Sequence, residues 1–444
     1  MDFLKLLNSI DSLIWGPPLL VLLVGTGIYF TIRLGLIQIV KLPKALKLIF
    51  KAENNGSGDI SSFGALCTAL AATIGTGNIV GVATAIKLGG PGALLWMWMA
   101  AFFGMATKYA EGVLAIKYRT TDANGEISGG PMHYIVNGMG KRWKPLAVAF
   151  SIFGVTVALF GSGTFTQVNS ITDSLSNTVG WSPKIISIIL AVLVSIIIFG
   201  GIQSISKVAE KIVPFMAIIY ILATIAILAF HCNQILPSIA LVIKSAFTGK
   251  AATGGFAGAT VITAIQAGVA RGIFSNESGL GSAPIAAAAA KTDEPVEQGL
   301  VSMTGTFIDT IIICTLTGLS IIVTGGWSSN LNGATLTQSA FSTVFGNFGV
   351  YALTFSLILF AFTTILGWGY YGERCFEFLF GVKAIPVYRI IFIAMVALGG
   401  YISLETIWVI ADIVNGLTAI PNLIALLALS PIIIKETKRY FDTH

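Results

Sequence analysis

Long apolar runs separated by short polar loops dominate the sequence. A helix needs about 20 apolar residues to cross a bilayer, and on that length the pattern predicts about eleven spans. We place them at about 12–32, 63–88, 93–116, 146–172, 184–201, 206–230, 256–290, 297–324, 348–372, 386–400 and 404–434. Two shorter apolar stretches, 237–247 and 335–345, are expected to lie along the outer face. The pattern therefore predicts an all-α polytopic membrane protein.

The second of these segments is interrupted near its middle. The run from Ala71 to Gly81 reads AATIGTGNIVG, and each glycine costs a helix about 1 kcal/mol relative to alanine. Hydrocarbon offers no water, so backbone groups freed by a break must face protein or a cavity. A glycine-broken helix with polar neighbours at the midplane is typical of a transporter binding site. Close packing of an unbroken helix against a neighbour is the alternative.

A second broken helix is predicted in segment 256–290. Arg271 and Glu277 lie near its middle, within the sequence RGIFSNESGLG that covers 271–281. Unpaired charge is costly at that depth, so both side chains should face protein or water. Each break begins a set of five spans, and because five is odd the two sets enter the membrane from opposite sides. The sequence thus predicts an inverted repeat whose broken helices face each other at the midplane.

Composition and charge fit this interpretation. Of the 444 residues, 55% are hydrophobic and 10% are charged, compared with about 25% charged in soluble proteins. Basic residues concentrate in alternate loops, most clearly 33–51 and 117–144, which the positive-inside rule makes cytoplasmic. The N-terminus is then outside the cell membrane and the C-terminus inside. The net charge of +6 is explained by topology and lipid headgroups and does not indicate nucleic acid.

This topology gives the expected organisation of the chain. Residues 1–60 hold an extra N-terminal span and a basic amphipathic helix on the cytoplasmic surface. Residues 61–232 form the first five-helix repeat, 233–434 the second, and 435–444 a cytoplasmic tail.

The breaks also suggest chemistry. The N–H groups that start one half-helix suit a carboxylate, and the carbonyls that end the other suit a hard cation such as sodium. The carbonyls of Ala71 and Ile74 are candidate cation ligands, with the hydroxyls of Thr363 and Thr364 as partners. Alternatively, these threonines bond back to their own helix. Candidate substrate contacts are Thr73, Gly75, Thr76, Gly77, Asn78, Phe165, Gln167, Ile273, Phe274 and Trp368; the aromatic members could equally be core residues.

Other intramembrane charges remain open. Asp309 is a functional candidate by position, and could pair with Arg271 or carry a proton. Lys108 and Glu111 are one helical turn apart and could satisfy each other. The sequence contains no nucleophile–base pattern, phosphate loop or metal-ligand spacing, so we expect neither an enzyme nor a cofactor.

Two stretches carry a family resemblance. GGPGALLWMWMAAFFG at 89–104 and NESGLGSAPIAAAAAKT at 276–292 resemble signatures of the alanine or glycine:cation symporter family, from which Leu95 and Ser278 depart mildly. The resemblance implies the leucine-transporter-like fold and sodium-coupled uptake of alanine, with glycine and other small neutral amino acids as further substrates. It places Thr76, Gly77 and Asn78 at the substrate carboxylate.

The same resemblance assigns the sodium site to Ala71, Ile74, Thr363 and Thr364. Two alternatives remain at this point. One is a proton-coupled transporter that uses Asp309 or Glu277 as its proton carrier, and the other is a passive channel.

Overall fold

The computed structural model describes residues 3–50, 56–248, 260–401 and 405–443, and these are almost entirely helical. The helices of the first half are α1 (Phe3–Ile14), α2 (Pro17–Arg33), α3 (Ile37–Val40), α4 (Leu42–Ile49), α5 (Ser62–Thr73), α6 (Val82–Gly89), α7 (Ala93–Lys117), α8 (Pro131–Tyr134), α9 (Lys144–Phe160), α10 (Phe165–Val179), α11 (Pro183–Ile198) and α12 (Gly201–Phe230).

The helices of the second half are α13 (Cys232–Thr248), α14 (Val261–Asn276), α15 (Ala283–Ala288), α16 (Pro295–Thr306), α17 (Thr315–Val323), α18 (Gly333–Phe345), α19 (Asn347–Phe380), α20 (Ile385–Leu398), α21 (Glu405–Ala428) and α22 (Ser430–Thr443). Wider π-helical turns occupy Gly77–Gly81, Ile135–Met139 and Phe307–Cys314, and 3₁₀ turns occupy Lys141–Trp143, Gly326–Ser328 and Val382–Ala384. Strands β1 (Thr120–Thr121) and β2 (Ile127–Ser128) form a small antiparallel hairpin.

Several helices have the length and composition of membrane spans. Within the described residues, 6 helices qualify, or 7 when the bent pair Ser62–Thr73 and Gly77–Gly89 counts as one span. The polytopic all-α prediction is therefore confirmed, while the number of about eleven spans stays a prediction. The predicted break in the first segment is present: its two halves meet at 52°.

Some predicted segments are interrupted in the structure or extend beyond the described residues. The predicted span at 146–172 lies within Lys141–Val179, which has the length and composition of one membrane span. Its helix is nevertheless interrupted, because α9 ends at Phe160 and α10 begins at Phe165. The Thr164 hydroxyl donates to the carbonyl of Leu159 at 2.6 Å, and such side-chain bonds compete with the helix ladder. The starts of segments 256–290 and 404–434 lie outside the described residues, as do residues 51–55 of the predicted surface helix.

The two broken helices run antiparallel. The Lys291 N–H donates to the carbonyl of Ile60 at 2.7 Å, so the segment that enters the first broken helix lies beside the exit of the second. At the opposite ends, Gly89 packs so closely on α14 that a Cβ there would lie 2.8 Å from Cα of Ala264. This is the relation that an inverted repeat requires.

The β1–β2 hairpin binds the end of the molecule where α5 begins. Arg119 donates to the carbonyls of Ser57, Ala288, Ala290 and Thr292. Arg374 of α19, 1% exposed, pairs with Asp122 at 3.3 Å and Glu126 at 2.9 Å in the hairpin. A buried guanidinium needs such partners to offset its desolvation. The hairpin, which the sequence indicates only as a loop, therefore ties both broken helices to α19.

The hairpin generates a prediction about pH. His133 packs beneath it, with ring nitrogens 3.1 Å from the hydroxyls of Thr120 and Ser128, and burial lowers its pKa from 6.5 to about 4. Between pH 6.5 and about pH 4, His133 binds a proton in the unfolded chain but not in the folded chain. The free energy of unfolding therefore falls as the pH falls. We expect the melting temperature in detergent to drop across this pH range, and the free energy of unfolding to fall by up to about 3 kcal/mol.

The control for this prediction is His133→Asn, which removes the titrating ring. Its melting temperature should fall less steeply over the same pH range. An identical slope in the two proteins would show that His133 does not cause the loss.

Candidate functional site

A buried carboxylate joins the two helix breaks. Asp309 lies on the π-helical turn Phe307–Cys314 and is fully buried. It accepts hydrogen bonds from Asn78 Nδ2 at 2.7 Å, Ser275 Oγ at 2.9 Å and Thr310 Oγ1 at 2.7 Å. Asn78 belongs to the first broken helix and Ser275 to the second, so the two breaks lie at one level. Single π turns often mark functional positions, because the extra residue redirects a side chain.

The first break is held by its own side chain as well. Asn78 Oδ1 accepts the backbone N–H of Gly75 at 2.9 Å, which satisfies a donor that the interrupted helix leaves free. Asn78 was predicted to contact a substrate. In this structure its amide oxygen holds the break and its amide nitrogen binds Asp309.

Arg271 pairs with a carboxylate other than Asp309. Its guanidinium lies 3.0 Å and 3.4 Å from the two carboxylate oxygens of Asp412 on α21, in the forked geometry that arginine favours. It also lies 5.6 Å from the ring centroid of Phe274. The predicted Asp309–Arg271 pair is therefore wrong, because neutral donors surround Asp309 and Arg271 faces α21.

The second break is capped from α7. Glu111 Oε1 accepts the N–H groups of Gly279 at 3.1 Å and Gly281 at 3.2 Å. The suggested Lys108–Glu111 pair is wrong: among the described residues, Nζ of buried Lys108 has no hydrogen-bond partner. The Glu111 carboxylate instead accepts hydrogen bonds from backbone N–H groups that the break exposes. These groups have no water to bond in the membrane interior.

Glu277 sits at the break itself and reaches α19. Its φ of 56° is left-handed, an unusual conformation for a residue with a side chain. Its carboxylate accepts the indole N–H of Trp368 at 2.9 Å and the hydroxyl of Ser282. Trp368 was predicted as a pocket wall, and this bond fixes the orientation of its ring.

Two of the predicted sodium ligands come together. The Thr364 hydroxyl lies 3.1 Å from the carbonyl oxygen of Ala71 and 3.0 Å from that of Phe360 in its own helix. A Cβ on Gly75 would collide with that hydroxyl. The Thr363 hydroxyl also bonds back to carbonyls of α19, but it lies beside the sulfur of Met216, at 3.6 Å, and not beside Ala71. A helix-end carbonyl beside a hydroxyl offers the oxygen ligands that a hard cation prefers. Ile74, the residue at the break, is fully buried.

Gln167 supplies an unpartnered acceptor beside the first break. Its Nε2 donates to Thr76 Oγ1 at 3.3 Å, while its buried Oε1 has no partner among the described residues. That oxygen lies 3.6 Å from where a Cβ of Gly75 would stand. A buried acceptor without a donor is costly, so the position suits a ligand that brings an N–H group or a cation.

A cavity of about 290 Å³ adjoins this position, lined by Thr76, Phe274 and Arg271 among others. The remaining predicted contacts interact with other parts of the protein. Phe165 stacks on Phe160 with centroids 6.4 Å apart, and the Thr73 hydroxyl bonds back to Ala69.

The carbonyl of Ile273 accepts the N–H of Glu277. Gly77 belongs to the π-helical turn that follows the first break.

Sequence reasoning missed several residues of this region. Asp412 and Asn422 are polar side chains in an apolar segment, and the rule that flagged Asp309 would also have flagged them. Asn422 donates to Glu111 at 2.7 Å. Ser275 and Thr310 gave no comparable signal, since small hydroxyl residues are common in membrane helices.

Comparisons with known proteins agree on what the chain resembles. The sequence profile of the sodium:alanine symporter family matches residues 1–444. An uncharacterized transporter of Haemophilus influenzae is 57% identical over 444 residues, covering 100% of this chain and 97% of that protein. The sodium/alanine symporter AgcS of Methanococcus maripaludis is 53% identical over 448 residues, covering 99% and 98% of the two chains.

One solved structure resembles most of the bundle. MhsT, crystallised with L-phenylalanine, matches with a TM-score of 0.56 and 12% identity, covering 86% of this chain and 98% of that one. An identity this low shows a common fold alone. That fold is the leucine-transporter-like arrangement that the sequence predicts.

The Asp309 network generates the next prediction. In Asp309→Asn, an amide N–H₂ replaces one acceptor where three donors converge, so we expect a loss of about 1–3 kcal/mol. Thermal melting in detergent measures it. Cys314→Ser is the matched control, since its sulfur lies 3.4 Å from both Asn78 and Ser275 but carries no charge. Equal melting temperatures for the two variants would contradict a linking role for Asp309.

Proposed function

The chain belongs to the sodium:alanine symporter family and is therefore a secondary active transporter, not an enzyme, and from this premise we propose that it couples alanine uptake to sodium entry. Glycine and other small neutral amino acids are further candidate substrates. The single observation that carries the proposal is the set of oxygens at the first break. The Ala71 carbonyl faces the Thr364 hydroxyl, beside the unpartnered amide oxygen of Gln167.

For sodium, we propose a site between the end of α5 and α19. The carbonyls of Ala71 and Ile74 and the hydroxyl of Thr364 would be its ligands, because the end of a half-helix presents carbonyls with negative partial charge. Thr363 remains a predicted ligand. Its hydroxyl would have to turn away from Met216 to take part.

For the amino acid, we propose that its carboxylate lies at the start of the half-helix that contains Gly75, Thr76 and Gly77. Backbone N–H groups there carry positive partial charge. The amide oxygen of Gln167, which has no donor among the described residues, would accept a hydrogen bond from the substrate ammonium group. Phe274 would close the cavity above a small side chain, and a small cavity fits alanine better than a bulky substrate.

Aromatic Trp368 is proposed as a second wall, oriented by Glu277. Thr73, Phe165 and Ile273 remain sequence-based candidates, each of which makes intraprotein contacts in the described structure.

Coupling by alternating access follows from where the ligands would sit. Within the described parts of the chain, two hydrogen bonds join the broken helices to α19, Thr364 to Ala71 and Trp368 to Glu277. A sodium ion bound between α5 and α19 would add a third interaction between the broken helices and α19. Rocking of one set of helices against the other would then depend on the occupied site. Each sodium ion that enters gains about 2.3 kcal/mol per 100 mV of membrane potential.

We also propose the orientation and organisation expected from the sequence. The loop that carries the β1–β2 hairpin holds Lys117, Arg119, Lys141, Arg142 and Lys144, so the hairpin end of the molecule is cytoplasmic. The N-terminus is then outside and the C-terminal tail inside. Residues 61–232 and 233–434 are the two repeats that follow the extra N-terminal helix.

The experiment that tests the function is uptake of radiolabelled alanine into proteoliposomes. An inward sodium gradient should produce transient accumulation above equilibrium, because the gradient supplies the driving force. Replacement of external sodium by choline should abolish it. Uptake that ignores sodium and follows an acidic exterior would contradict the proposal and support proton coupling instead.

Two neighbouring threonines give a sharper test of the sodium site. Thr364→Ala should raise the sodium concentration for half-maximal uptake at least about tenfold. This corresponds to a loss of about 1.4 kcal/mol in the free energy of sodium binding. Thr363→Ala removes an equally buried hydroxyl from the same turn. It should change the sodium dependence much less, because this hydroxyl lies against Met216, and an equally large change would make Thr363 a ligand as well. A Thr364→Ala protein with unchanged sodium dependence would remove this residue from the site.

A further inference from the structure

A large apolar groove lies on the membrane-facing side of the molecule. It has a volume of about 750 Å³ and lies between α2, α7 and α14. Its walls are formed by residues from Pro17 to Ile28, from Trp96 to Phe103 and from Ile262 to Val269. Among the groove-lining side chains that the structure describes, two end in a polar group. They are the amide of Gln266 and the indole N–H of Trp96, which donates to the Ala246 carbonyl.

The groove spans about half of a bilayer. It is lined by the early turns of three helices, so these helices begin at the same end of the molecule. The α2 wall covers eleven helical steps, about 16 Å at 1.5 Å per residue, against a hydrocarbon thickness of about 30 Å. This depth matches an acyl chain of a single leaflet, the outer one in the proposed orientation.

A second cavity adjoins the groove, and we call it the polar cavity because charged side chains stand among its walls. It has a volume of about 270 Å³, and Asp11, Trp15, Arg271 and Asp412 line it. The two cavities are neighbours, because Gln266 lines both and Trp15 is two residues from Pro17 of the groove. The polar cavity therefore begins where the apolar groove ends along the α1–α2 corner.

One acceptor at the polar cavity has no donor in the described part of the chain. Arg271 is already paired with Asp412 at 3.0 Å, which leaves Asp11 as an additional carboxylate. The buried Oδ1 atom of Asp11 has no hydrogen-bond partner among the described residues. An unpartnered carboxylate oxygen in a partly buried site favours a ligand with a positively charged N–H group.

We propose that the two cavities form one binding site for a phospholipid with a primary ammonium headgroup, of the phosphatidylethanolamine type. One acyl chain fills the groove, the ammonium group donates to Asp11, and the phosphate lies on the Arg271 side of the polar cavity. Hydrocarbon is the occupant because the groove is apolar at membrane depth. A zwitterion with N–H donors complements a cavity that holds both signs of charge and a free acceptor. This site is separate from the sodium ligands and does not rest on the transported substrate.

Native mass spectrometry of the purified full-length protein tests the proposal. The protein is incubated with phosphatidylethanolamine, phosphatidylcholine and phosphatidylglycerol of identical acyl chains, and retained lipid is counted. We expect one retained phosphatidylethanolamine and several-fold less of the other two. The quaternary ammonium of phosphatidylcholine has no N–H to donate, and phosphatidylglycerol has no ammonium at all.

Gly25→Phe tests the acyl part. A Cβ at Gly25 would meet no atom within 4 Å, and the residue lines the groove, so the ring enters the groove without displacing protein. Retained lipid should fall at least tenfold. Ile32→Phe is the matched control, because Ile32 is on the same helix, is 71% exposed and lies off the groove. Equal retention by the two variants would overturn the groove assignment.

Asp11→Asn tests the headgroup part and does not depend on the fold of the Gly25 variant. It should retain lipid but lose the preference for phosphatidylethanolamine over phosphatidylcholine. Wild-type protein that retains all three lipids equally, or that prefers phosphatidylglycerol, would overturn the proposal. A preference that survives in Asp11→Asn would overturn it as well.

Discussion

Two helices are broken inside a membrane, where no water can satisfy the backbone groups that the breaks release. Side chains must do so, and the structure shows which ones. Asn78 takes the N–H of Gly75, and Glu111 takes those of Gly279 and Gly281. Asp309 then joins Asn78 to the second broken helix. The rest of the site depends on this arrangement, because only held-open breaks can present backbone groups to a ligand.

The helices that hold the breaks also determine how the site could move. The breaks are supported from α7 by Glu111 and from the turn that carries Asp309, while α19 meets them through Thr364 and Trp368. At the hairpin end, Arg374 of α19 is tied to the same broken helices through β1 and β2. Any motion of the broken helices relative to α19 must therefore change a small set of named contacts. A cation bound at Thr364 would act on that boundary directly.

The sequence predicts the fold well where a single segment carries the signal. Glycines and charges within apolar runs locate both breaks, and the two long motifs indicate the family. The ion-pair partner of a buried charge is harder to predict from sequence. Arg271 could reach several carboxylates, and only the packing of α21 selects Asp412. The interruption at Gly161–Thr164 was not predicted, although two glycines stand there and the sequence becomes polar in α10. The site roles of Thr363 and Phe165 depend on which face of a helix each presents, which spacing alone does not determine.

We propose that one site binds sodium and an amino acid together at the held-open breaks. Calorimetric titration of the detergent-purified protein with alanine, repeated over a series of sodium concentrations, measures this coupling. Linkage requires that sodium tightens alanine binding and that alanine tightens sodium binding by the same factor. We expect a shared factor of about ten or more, a coupling free energy above about 1.4 kcal/mol. An alanine dissociation constant that is the same in sodium and in choline would contradict it.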